Sequence, residues 1–194
     1  MARGLAAGVA VGATLLAPAL VRADLQGFAA DALIIPMDAC YQAAPDVPRP
    51  SGCVDGKAAA DDGAVAAYGV VHLLLRRGVP VAVAVKADKA DLAAADFSIT
   101  DPSGAAPVQR LARPGDGVVA FTSQSTLSYR GGPFLIDAAD APQARALLTS
   151  ELAGASTAVH VARVPFTAPV ALRLVGAPSK LALVDVCNGA LGCP

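Results

Sequence analysis

Residues 62–85 read DGAVAAYGVVHLLLRRGVPVAVAV, and the two halves of this stretch repeat with different periods. In the first half Asp62 can cap a helix over 63–77. That helix puts Val65, Tyr68, Val71, His72 and Leu75 on one face, sets Arg76 and Arg77 at its negative end and stops at Gly78. The second half, 79–85, is apolar at nearly every position, which suits a strand covered on both faces, as in parallel sheets. Upstream, 31–37 carries the run Ala-Leu-Ile-Ile closed by Pro36, too short for a helix, so it reads as a buried strand. Strand, helix and doubly covered strand predict a β-α-β unit.

Downstream the pattern continues. Residues 96–100 and 117–122 read as short strands around a turn-rich 101–116, an antiparallel excursion. Residues 133–137 resume the strand pattern. Asp140 with Gln143 spells a capping box that opens a helix over 141–152, with Ala144, Leu147, Leu148 and Leu152 inward. A strand over 157–164, a helical turn over 168–175 and a last strand over 181–186 follow. Alternating strands and helices predict one α/β domain over 24–194, a three-layer sandwich around a mainly parallel, flavodoxin-like sheet.

Composition bounds the partners. The 194 residues are 55% hydrophobic and 16% charged with net charge −1, and alanine supplies much of the apolar excess. No basic face exists to drive binding to a phosphate backbone, so nucleic acid is not an expected partner. The start reads as a cleaved export signal: Arg3 is positive, 4–20 is uncharged and apolar, and Val21-Arg22-Ala23 suits a cut after Ala23. No second membrane span follows, so the expected address is secreted or periplasmic. Four cysteines in an exported chain suggest disulfides rather than zinc ligands, and the spacing favours Cys40 with Cys53 and Cys187 with Cys193.

Ligands of open parallel sheets bind beyond the carboxyl ends of the strands. The polar residues there are Asp38, Lys86, Asp137 and Asp185, with Tyr41 on the following loop, and three carboxylates with an ammonium could hold a divalent cation or a polar ligand. The plainer reading is that aspartates at strand ends start turns and cap helices. Arg130-Gly131-Gly132 offers a guanidinium and backbone N–H groups for an anion, but on a parallel sheet it falls at the far end from that crevice. His72 and His160 are the only imidazoles, no GxSxG elbow exposes a serine, and no GxGxxG or GxxxxGK[ST] loop is present. No cofactor is expected. With three Tyr and no Trp, a flavin platform is poorly provided.

Several blocks carry a family resemblance: Leu33-Ile-Ile-Pro-Met-Asp38 with Tyr41-Gln42, Ala67-Tyr-Gly69 through Leu74, Gly78, Pro80 and Lys86, Tyr129-Arg-Gly-Gly-Pro-Phe134 to Asp137, and Pro165-Phe-Thr-Ala-Pro169. Together they resemble a group of uncharacterised exported bacterial proteins whose flavodoxin-like domain is distantly similar to the class I glutamine amidotransferase fold. Those enzymes present a cysteine on a strand-to-helix elbow with a later histidine, and no cysteine here sits between glycines after a strand. The resemblance therefore implies a fold and no activity. It also implies that Pro194 ends a shortened form of the domain. The expected function is a non-catalytic binding or accessory module for an unknown small polar ligand or envelope component. The alternative is a degenerate or metal-assisted hydrolase using Asp38, Asp137 and Asp185.

Overall fold

The computed structural model describes residues 23–38, 40–42, 63–91, 94–111, 123–151 and 157–177. The export signal up to Arg22, the strands expected at 117–122 and 181–186, and Cys53, Asp185, Cys187 and Cys193 lie outside the described residues. In chain order the elements are β1 (Asp24–Phe28), β2 (Leu33–Ile35), α1 (Gly63–Arg76), β3 (Val81–Ala84), β4 (Phe97–Thr100), β5 (Val108–Arg110), β6 (Thr126–Tyr129), β7 (Phe134–Ile136), α2 (Ala141–Ser150), β8 (His160–Ala162) and β9 (Phe166–Leu174).

The helix-linked strands β2 and β3 form where expected but are not neighbours. β7 lies between them and runs antiparallel to both. α2 then carries the chain from β7 to β8, which pairs antiparallel with the other side of β2. Two split β-α-β units therefore interlock in the order β3-β7-β2-β8, the ferredoxin-like arrangement. β9 and β1 extend the sheet on one side and β5 on the other, giving seven strands in the order β1-β9-β3-β7-β2-β8-β5 with every pair antiparallel.

The flavodoxin-like parallel sandwich is thus overturned, both as read from the residues and as implied by the resemblance. β2 and β3 do point the same way, as a helical crossover dictates, but each neighbours strands of the opposite sense. Their double-sided burial has another cause. Leu33, Ile35, Val81, Phe134 and Ile136 face both helices, meeting Val70 and Leu74 of α1 and Ala144 and Leu148 of α2. Ile34, Ala82 and Leu135 face the other way, onto Phe97, Ile99, Leu127 and Tyr129 of the separate β4–β6 hairpin. That second cover is a β layer, not a second helix layer.

A row of stacked rings joins the two sheets: Phe28 on Phe166 at 5.1 Å, Phe166 on Phe97 at 5.5 Å and Phe97 on Tyr129 at 5.1 Å between centroids. Such pairs add to the burial they accompany by about 0.5–1.5 kcal/mol each.

Local expectations are corrected in the same way. Val65 and Tyr68 are 66% and 39% exposed; α1 buries Val71 and Leu75 of the expected face together with Ala67, Val70 and Leu74. A helix apolar nearly all round leaves its phase to packing. The capping box of α2 does not form: Asp140 makes no side-chain cap bond, and Gln143 Nε2 donates to the Arg77 carbonyl at 2.9 Å. The helical turn expected over 168–175 lies in β9, held as a strand by β1 and β3 on its two sides. β1 and β5 carry no pattern that marked them, and β4 finds a partner in β6.

Candidate functional site

Because β7 runs against β2 and β3, its entrance lies at the same end of the sheet as their exits. Arg130-Gly131-Gly132 therefore meets Asp38 and Lys86, where a parallel sheet would have separated them. Gly131 has φ +77°, and a Cβ there would sit 3.1 Å from the Met37 carbonyl oxygen. Gly131→Ala is expected to lower stability by about 1–3 kcal/mol. Gly104→Ala, at φ +83° with nothing within 4 Å, should lose only the backbone part, about 1 kcal/mol. Urea unfolding of the two variants side by side measures the difference.

Asp38 Oδ1 accepts the Cys40 N–H at 2.9 Å, while its Oδ2 is buried without a partner. Burial raises this carboxyl above its ordinary value, opposed by the Cys40 N–H and then by the charge of Arg130. Asp137 follows β7 and so lies at the opposite end of the sheet, where its Oδ2 accepts from Arg173 Nη2 at 2.7 Å. With Asp185 outside the described residues, the expected crown does not assemble. Among the described residues no three metal-ligating side chains come together.

Asp96 is the carboxylate that no sequence pattern singled out, a lone acid between alanines and a short strand. Its buried Oδ1 accepts the Lys86 N–H at 2.9 Å and meets Lys89 Nζ at 3.0 Å, and its Oδ2 accepts the Gly132 N–H at 3.0 Å. The exit of β3 and the entrance of β7 are thereby tied to the start of β4.

Tyr41 is a core residue rather than a ligand contact: 4% exposed, it donates to the Ser128 carbonyl at 3.3 Å and sets its ring edge-on to His160 at 5.0 Å. Next to it, the Gln42 amide takes both backbone groups of Ala158, each at 2.9 Å, as a strand would. His160 shares a 2.9 Å hydrogen bond between Nδ1 and the Tyr129 hydroxyl. Complete burial, aided by the charge of Arg110, lowers its pKa to about 3, so the imidazole is neutral. Burial likewise pushes the Tyr129 phenol well above its ordinary value. These groups make a hydrogen-bonded core.

Cys40 is not free, and its partner lies outside the described residues; no disulfide joins two described residues. The expected Cys40–Cys53 and Cys187–Cys193 pairings therefore fall outside the described residues.

An open feature among the described residues is a groove of about 590 Å³ between β4 and the margin formed by β9 and β1, lined by Leu25, Lys86, Asp88, Asp96, Ser98 and Pro169 among others. Lys86 and Asp88 are exposed, and neither side chain has an ion-pair or hydrogen-bond partner in the described chain. Fold and groove together define a ferredoxin-like α+β domain with one sheet face roofed by a β hairpin. No protein-family model matches the chain, and no curated protein or solved structure matches it. No helix among the described residues is long and apolar enough to cross a membrane.

Proposed function

We propose that the chain is an exported, non-catalytic binding or accessory module of the bacterial envelope or exterior, taking a small polar ligand or envelope component in the groove beside Lys86. The observation that carries this reading is the groove itself, whose volume of about 590 Å³ suits a small ligand and whose Lys86 and Asp88 are unneutralised. Of the other charged candidates, Asp96 is occupied by two N–H groups and Lys89, and Asp137 by Arg173, while the unpartnered Asp38 Oδ2 is buried and does not line the groove. The export part rests on residues 1–23. The hydrolase reading has no observation in its favour, because Asp38 and Asp137 lie at opposite ends of the sheet.

Thermal unfolding in the presence of sugars, amino acids and short peptides tests the binding. A ligand at a hundred times its Kd adds about 2.7 kcal/mol. One compound class should raise the midpoint of the wild type and leave Lys86→Glu unmoved. No shift from any class, or turnover of an ester or amide substrate, would overturn the reading. Intact mass from an exporting host checks the address: a chain beginning at Asp24 supports it and an uncut chain refutes it.

A further inference from the structure

We infer that the occupant of the groove is an extended peptide that adds a strand to the outer edge of β4; this rests on the groove being a binding site. Among the described strands β4 pairs with β6 alone. At its end the Asp101 N–H donates to the Ser125 carbonyl at 2.8 Å. The alternation of an antiparallel ladder then turns the N–H and C=O of Ser98 and Thr100 away from β6. Among the described residues no hydrogen bond reaches them.

Beyond its shortness, four residues between Asp96 and Asp101, this edge carries few of the usual protections. Phe97-Ser98-Ile99-Thr100 contains no Pro and no Lys, and its register with β6 is unbroken. It is also held ready, because the Ser98–Ser128 and Thr100–Thr126 hydroxyl pairs at 2.8 and 2.9 Å fix the hairpin before anything binds. Asp96, Phe97 and Ser98 form one wall of the groove, and Leu25 and Pro169 stand on the other. A strand laid there would pair its backbone with Ser98 and bring alternate side chains to Leu25, which is 80% exposed.

Charge separates a peptide from a second copy of the chain. Lys86 and Asp88 call for an acidic and a basic side chain on the occupant. A second β4 pairing edge to edge would bring uncharged Phe97–Thr100 flanked by Asp96 and Asp101, two acids and no basic side chain for Asp88.

The test is selection from a displayed random heptapeptide library on the full chain, followed by fluorescence anisotropy with the enriched peptides. Peptides carrying an acidic residue beside an apolar one should be enriched. N-methylation at one alternate set of backbone amides should weaken binding at least about tenfold, and at the other set leave it unchanged. Ser98→Pro, which removes the outward N–H from an edge where proline is tolerated, should weaken binding comparably while the far-ultraviolet spectrum stays native. Equal effects of both methylation sets, or full affinity in folded Ser98→Pro, would overturn the proposal. So would a concentration-dependent dimer in ultracentrifugation that Ser98→Pro abolishes, which would put a second copy on the edge. If no peptide is enriched while a sugar or amino acid still shifts the midpoint through Lys86, the peptide is refuted and the binding module stands; if nothing binds, both fall.

Discussion

Acidification from pH 6.5 towards 3 is expected to destabilise the protein through His160, with a slope approaching 1.4 kcal/mol per pH unit. The unfolded chain protonates this imidazole near 6.5, whereas the folded chain keeps it neutral to about 3 because of its burial and then Arg110. Within that window the unfolded state holds more protons, so stability rises with pH and is lost as pH falls. The whole window amounts to at most about 4–5 kcal/mol. Asp38 acts in the opposite sense: its raised pKa lets the folded state hold more protons just above 3.8, so its contribution declines as pH rises there.

His160→Gln separates the two. The variant should be weaker at pH 7 by about 1–3 kcal/mol, since it gives up ring packing and the Tyr129 geometry. Its stability should then vary much less between pH 4 and 6.5 than that of the wild type. Urea unfolding of both proteins at four pH values decides the matter, and parallel pH dependences would show that His160 is not the group responsible.

Asp96→Ala is expected to lose about 3–5 kcal/mol, the largest effect of any single charge removal here. The substitution strands the N–H groups of Lys86 and Gly132 and leaves the Lys89 ammonium, 12% exposed at its side chain, without its carboxylate. Asp96→Asn keeps an acceptor for one N–H and should lose less. Adding Lys89→Met to Asp96→Ala should recover part of the loss, because it removes the stranded charge. Denaturant midpoints of the three variants read this out, and strict additivity in the double variant would argue against a coupled pair. The near-ultraviolet signal of Tyr129, whose carbonyl accepts the Asp96 N–H at 2.7 Å, should change in Asp96→Ala even where the protein remains folded.

Particular residues show how far the site could be read in advance. Asp38 and Lys86 at strand exits and the turn at Gly131 and Gly132 were legible, because short-range rules place polar residues and glycines there. Their meeting was not, since it depends on β7 entering where β2 and β3 leave. For the same reason the sequence groups Asp137 with a crown from which strand direction removes it. Asp96 left no trace in the sequence: its role consists of two N–H groups, from Lys86 and Gly132, that lie 10 and 36 residues away. Ser98, one wall of the groove, shows in the sequence only the pattern of a strand.

Local pattern was enough for α1, α2 and the apolar strands β2, β3, β7 and β8, because caps, glycine stops and runs of branched residues act over a few positions. Sheet order and direction lay beyond it. A strand buried on both faces looks alike whether helices cover both sides or helices cover one and a β hairpin the other. What separates the cases is the long-range pairing of β2 and β3 with β7, and the stacking of Phe97 and Tyr129 of the hairpin onto the far face. Those contacts join residues tens of positions apart, so the choice between a parallel sandwich and an antiparallel sheet with a roofed face, and with it the position of the groove, belongs to the folded chain as a whole.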